Sequence, residues 1–211
     1  MNNVITLNVP TYVRYINQWK ELDLPKGHYI MDKVVTGCGF TEYFLNNNIP
    51  TILCSPRKVL LENKHNQHLK KSKKDKRILP TYLFKNEIDK DTTVDFSLSE
   101  KISNEIINIS DTKEYILGLR RGLANYISTS PTTPKILVTY DSLRHVLETI
   151  AEIDPFFINQ FQIVVDEFQS IFMDSRFKAS TELDFMTILQ NVPNVCYLSA
   201  TPDEELFIRI R

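Results

Sequence analysis

The sequence predicts an α/β fold: a doubly wound, mainly parallel sheet with helices on both faces. Three observations carry that expectation. Short, continuous apolar and β-branched runs recur at 29–35, 51–54, 135–140, 162–166 and 195–199, and runs of this kind suit strands buried on both faces, as in parallel sheets. Between them lie stretches with helical character at 11–22, 41–46, 58–69, 141–152 and 181–190, and such alternation is the mark of βαβ winding. At 211 residues, 42% hydrophobic and 24% charged, the chain is sized for one sizeable core rather than two.

Each element has its local reason. Pro10 and Thr11 can open the first helix, which carries Tyr12, Tyr15, Gln18 and Trp19. The strand 29–35 runs into a glycine-containing turn, and the helix beginning at Thr41 is closed by the asparagines 46–48 and Pro50. Asp141 and Ser142 can cap the helix that follows strand 135–140. Residues from about 64 to 134 fit the alternation less well. Seven Lys and Arg lie between 64 and 77 against Asp75 alone, and eight acids lie between 87 and 114 against three lysines. This stretch reads as a charge-segregated insertion in one domain spanning 1–211, carrying a strand at 77–84 and a helix at 113–127. The basic run either attracts phosphates or forms a solvated surface, and the sequence leaves both open.

Composition narrows the setting. No apolar run approaches the roughly 20 residues that cross a bilayer, and the start, MNNVITLNVP, lacks the basic and apolar regions of a signal peptide. Cys38, Cys54 and Cys196 are odd in number and far apart, which argues against a disulfide framework or a zinc site. His65 and His68 have no further ligand nearby in sequence to complete a metal set. The expectation is a soluble, cytoplasmic protein without membrane association.

Three blocks carry chemistry: VVTGCGFT at 34–41, VVDEFQ at 164–169 and YLSATP at 197–202. Each follows or ends a predicted strand, and in open α/β sheets ligands bind at the carboxyl ends of strands. Thr36, Gly37, Cys38 and Gly39 lead into a helix, an arrangement whose N–H groups can cradle phosphates. The Thr41 hydroxyl could ligate magnesium. Asp166 and Glu167 close an apolar strand, where one carboxylate can hold a metal and the other can polarise an attacking water.

Taken in order, these blocks resemble the first RecA-like lobe of superfamily 2 (DEAD/DEAH-like) helicases and translocases over about residues 10–202. TGCGFT is similar to motif I, SPRKVLLEN (55–63) to motif Ia, VTYDSL (138–143) to the T-x-x-S-L segment, DEFQ to motif II and SAT (199–201) to motif III. The resemblance implies a P-loop NTPase fold that binds ATP with Mg2+ and engages DNA or RNA. It implies an ATP site at Thr36, Gly37, Cys38, Gly39, Phe40 and Thr41, metal ligation by Thr41 and Asp166, and Glu167 as general base. Gln169 and Ser199, Ala200 and Thr201 would couple that site to nucleic acid. Ser55, Pro56, Arg57, Thr139 and Ser142 would approach a strand's phosphates without reading its sequence. Gln18 could contact adenine, although burial of its aromatic segment competes as an explanation.

One position departs from the pattern. Phe40 stands where GxxxxGK[ST] has lysine. Three alternatives stay open: Lys33 supplies the cation from the strand, the site binds nucleotide without hydrolysing it, or it binds none. The resemblance also implies a second RecA-like lobe, absent from this sequence, so hydrolysis is expected to need that lobe or a partner chain. The alternative expectation is a degenerate helicase fold serving as a nucleic-acid- or protein-binding module in a viral or mobile-element assembly. A nucleotide kinase is a third reading, in which SAT and SPRKVLLEN have no place.

Overall fold

A computed structural model describes residues 11, 13–19, 22–33, 37–75, 78, 80–85, 98–129, 133–173 and 175–199, with 98–112, 172–173 and 175–182 described by backbone alone. Six strands, β1 (His28–Asp32), β2 (Thr51–Ser55), β3 (Tyr82–Phe84), β4 (Lys135–Thr139), β5 (Gln162–Val165) and β6 (Val195–Ser199), form one sheet in the order β1-β6-β5-β2-β4-β3. Every neighbouring pair is parallel. The connections hold helices α1 (Phe40–Asn46), α2 (Lys58–Lys74), α3 (Leu98–Thr129), α4 (Leu143–Ile153), α5 (Ser170–Met173) and α6 (Ser175–Gln190).

Alternate strand residues divide the interior into two cores. Leu53, Leu137, Val164, Cys196 and Leu198 pack with Phe40, Phe44 and Leu45 of α1 and Leu61 of α2. Their neighbours Ile52, Cys54, Ile136, Val138, Ile163, Val165 and Tyr197 pack on the opposite face with Leu123 of α3, Val146 and Ile150 of α4, and Phe185 and Leu189 of α6. A strand whose side chains all find apolar partners, one face after the other, has no polar positions to alternate, which is why these runs read as continuous.

The winding explains which helix lies where. From β1 to β2 to β3 the chain crosses the sheet in one direction, and from β3 through β4 and β5 to β6 it returns. Parallel crossovers are right-handed, so reversing direction moves the connecting helices to the other face. The chain therefore leaves the carboxyl ends of β1 and β2 towards one face and that of β5 towards the other. A crevice opens where adjacent connections part in this way.

Two expectations change. The helix expected at 11–22 is, among the described residues, a single 3-10 turn at Ile16–Gln18. The N–H groups of Arg14 and Tyr15 donate to Gln18 Oε1 at 3.1 and 3.2 Å, and Ile16 N–H donates to Cys38 O at 2.9 Å. Donors that a helix would spend on its own carbonyls are taken by a side chain and a distant loop. Second, among the described residues of 64–134 the strand expected at 77–84 is the short edge strand β3, paired to β4, and the helix expected at 113–127 is the longer α3, packed against the core. Pro10 and Tyr12 lie outside the described residues. No described helix is long and apolar enough to cross a membrane.

At the amino end of the sheet, Lys135 is buried with its ammonium among Phe44 O (2.7 Å), Asn47 Oδ1 (2.8 Å), Ile49 O (2.6 Å) and Thr51 Oγ1 (3.1 Å). It joins the end of α1 to the starts of β2 and β4, and burial pushes its pKa down to about 7. Lys135→Met keeps most of the stem and removes the donors; Asn47 Oδ1 keeps the Ile49 N–H and Phe44 O and Ile49 O share the Thr51 hydroxyl, so the cost is that of the lost bonds, about 0.5–1.5 kcal/mol each. Urea unfolding of this variant is expected to show a loss of about 3 kcal/mol, and a loss below about 1 kcal/mol would contradict this role.

Candidate functional site

The described parts of the three sequence blocks, 37–41, 164–169 and 197–199, meet at one end of the sheet because β6 lies between β1 and β5. Lys33, just past β1, donates its N–H to Ser199 O at 2.7 Å and so extends the β1–β6 pairing. Its side chain reaches across to the strand beyond, placing Nζ 2.8 Å from Asp166 Oδ1. Thr41 Oγ1, in the first turn of α1, donates to Asp166 Oδ2 at 3.4 Å. Asp166 is only 6% exposed, so its carboxylate depends on these partners and on Glu167 N–H at 3.1 Å.

The turn that follows β5 is tightly determined. Asp166 N–H donates to Cys54 O at 2.9 Å, while its carbonyl accepts from Tyr140 Oη at 2.7 Å. Phe168 N–H donates to Leu198 O at 3.1 Å, and its ring packs 4.8 Å from that of Tyr197. Fixing Asp166 and Phe168 on either side leaves Glu167 in the left-handed region at φ 57°, a conformation that costs a residue with a Cβ about 1–2 kcal/mol. The result turns the Glu167 carboxylate out of the core, where its Oε2 lies 3.5 Å from Arg57 Nε. Burial holds the Tyr140 phenol well above its ordinary pKa, which keeps it a donor to the turn.

The glycine loop is built for close approach. Gly37 and Gly39 have φ 78° and 95°. A Cβ on Gly39 would meet Asn17 Oδ1 at 3.2 Å and Tyr15 Cβ at 3.3 Å, whereas one on Gly37 would meet nothing within 4 Å. Phe40 follows, 5% exposed, and packs in the core with Ile16, Leu22 and Phe44. The side chain at the pattern's lysine position therefore belongs to the interior. The cation beside Asp166 comes instead from the end of β1, as Lys33.

The remaining candidates divide by exposure. Arg57 is exposed, 72% by side chain, two residues past β2. Pro56 and Thr139 are half-buried, while Ser55 and Ser142 are buried. Their hydroxyls are used internally: Ser55 Oγ accepts from Arg57 N–H at 3.4 Å, and Ser142 Oγ from Thr139 Oγ1 at 3.3 Å. These two serines help to shape the loops after β2 and β4. Gln18 is exposed, with its side-chain oxygen engaged by the N–H groups of its own turn. Gln169 Oε1 is buried without a hydrogen-bond partner among the described residues. Cys38 is half-buried beside Gly39. Thr36, Ala200 and Thr201 lie outside the described residues. Tyr140 was missed as a site residue, although it sits inside VTYDSL as the aromatic donor at a strand end.

Asp166 and Thr41 are the residues here that could hold a hard divalent cation. Asp166 and Thr41 present hard oxygens 3.4 Å apart, close to the roughly 3 Å between adjacent ligands of an octahedral Mg2+. Among the described residues no group of three or more His, Cys, Asp or Glu is placed to hold a metal. A cation here would complete its shell from phosphate oxygens and water, as magnesium usually does.

Two consequences can be measured by thermal or urea unfolding. Gly39→Ala should cost about 1–3 kcal/mol, combining left-handed strain with the crowding above, and should exceed Gly37→Ala, which carries strain alone. Glu167→Gly should be at least as stable as the native chain, because relief of about 1 kcal/mol of strain outweighs an exposed ion pair; a clear destabilisation would mean that the turn is not strained. In comparisons with known proteins, the chain matches no protein-family model, no curated protein and no solved structure.

Proposed function

We propose that the chain is a P-loop NTPase lobe of the superfamily 2 helicase kind, which binds ATP with Mg2+ and engages single-stranded or unwinding DNA or RNA. One observation carries the reading. Lys33, residues 37–41, residues 166–169 and Ser199, scattered along the sequence, come together at the carboxyl ends of three adjacent parallel strands, with Asp166 bonded to both Lys33 and Thr41. Hydrolysis would be completed by a second RecA-like lobe or a partner chain.

Each residue then has a task. Asp166 and Thr41 hold the metal, which when bound offsets charge on the phosphates. Glu167, in its left-handed backbone turn, would orient a water and accept its proton. Gly37 and Gly39 let the loop approach the phosphates without side-chain obstruction. Arg57 connects this chemistry to nucleic acid: its guanidinium lies beside Glu167 and is exposed to a strand's phosphates. Occupancy at Arg57 would change the electrostatic setting of Glu167 directly.

Calorimetric titration with ATP and Mg2+ tests the reading. Saturable binding that Asp166→Ala weakens by tenfold or more is expected, on the scale of one lost charged contact. No binding at millimolar ATP, with Asp166→Ala indistinguishable from native, would contradict it.

The burial of Phe40 favours a second reading, a helicase-derived module that binds nucleic acid without regard to ATP. Lys70, Lys73 and Lys74 are exposed on the last turns of α2, while Lys71 is held by Glu42 at 2.6 Å. This reading expects salt-dependent nucleic-acid binding that is lost when those lysines are neutralised and is unchanged by ATP. ATP-dependent binding rules it out.

A further inference from the structure

We infer that Lys33 is the phosphate-contacting cation of this site, replacing the lysine absent from the loop, and that Asp166 holds its ammonium until a divalent cation takes the carboxylate. The inference rests on the nucleotide-site reading above and assigns within it a role that the loop pattern places elsewhere.

The geometry excludes the usual source. Phe40 is packed between Ile16, Leu22 and Phe44, so restoring a lysine there would bury a charge rather than deliver it to the crevice. Lys33 arrives from the sheet side. Its backbone is pinned by Ser199 O at 2.7 Å, while four flexible methylenes carry the ammonium to Asp166. The side chain is 14% exposed, so it is not fully sealed in the core. Arg57 pairs with Glu167 on its exposed side.

The contact with Asp166 creates a competition. Oδ1 accepts from the Lys33 ammonium at 2.8 Å, and Oδ2 lies 3.4 Å from the Thr41 hydroxyl. A divalent cation bound by Asp166 and Thr41 would sit close to that ammonium, and two cations sharing one carboxylate repel. Transfer of the ammonium to phosphate relieves the repulsion and gives it a partner of higher charge. Lys33 therefore opposes metal binding when phosphate is absent and supports phosphate binding when metal is present. A lysine that only stabilised the fold would not affect the two ligands in opposite directions.

Calorimetric titrations of the whole chain test this, using Mg2+ alone and then AMP, ADP and ATP with and without Mg2+, for the native protein, Lys33→Met, Lys33→Arg and Asp166→Asn. Lys33→Met should bind Mg2+ alone several-fold more tightly and ATP about ten- to hundredfold more weakly, with AMP changed much less, since a hydrogen bond to a charged group is worth roughly that ratio. Lys33→Arg should retain most of the ATP affinity. Asp166→Asn should bind ATP without Mg2+ at least as well as native, its ammonium being released. Because Lys33→Met leaves a buried carboxylate unpaired, the double variant Lys33→Met/Asp166→Asn controls for folding and should still lose ATP affinity relative to Asp166→Asn. Native-like ATP binding by Lys33→Met, or equal losses for AMP and ATP, would overturn the role of Lys33 alone. If the native chain binds no nucleotide, the nucleotide-site reading fails and this inference fails with it.

Discussion

A carboxylate removed from water must be compensated where it stands, and Asp166 receives that compensation from segments far apart in sequence. The Lys33 ammonium, the Thr41 hydroxyl and the N–H of Glu167 meet its two oxygens, while Tyr140 holds its carbonyl. Removing one partner of such a pair is costly because the remaining charge stays buried. The ends of β1, β5 and β4 and the start of α1 are thereby fixed relative to one another. The strained turn at Glu167 follows from the same fixation, since its neighbours on both sides are already committed.

The sheet makes that meeting available. An all-parallel order of β1-β6-β5-β2-β4-β3 sends every carboxyl end to one side. Reversal of the winding after β3 then parts the connections over that side. Short chemistry-bearing segments can converge there without a long loop, because each needs to extend only a few residues past its strand. The opposite end of the sheet has a different task, closed by Lys135 and the oxygens around it. One end is polar and accessible, the other polar and sealed.

Strand positions were legible because a doubly covered parallel strand buries every residue, and 51–54, 135–140, 162–166 and 195–199 carry that continuous apolar signal. The first strand was less distinct at its end, and the segment 11–22 misled for a tertiary reason. Gln18 and Cys38 O capture N–H groups that local pattern would assign to a helix. Block order likewise indicated that these segments would gather at the carboxyl ends of the strands, but not the direction of each side chain. The inward turn of Phe40, the internal use of the Ser55 and Ser142 hydroxyls, and the Tyr140 bond to Asp166 arise from packing across the sheet. No spacing rule along one strand encodes them. In the charge-segregated stretch the strand expected at 77–84 contains β3, whose three-residue extent is set by its pairing to β4.

The central claim is that these segments form one phosphate and metal site at the carboxyl ends of β1, β6 and β5. Amide chemical-shift mapping during titration with Mg2+ and a non-hydrolysable ATP analogue tests it most directly. The account predicts saturable changes concentrated at Lys33, Gly37, Gly39, Thr41, Glu167 and Ser199, with β3 and the amino end of the sheet unaffected. Shifts confined to α2, or no saturable shift in the loop and the turn after β5, would contradict it.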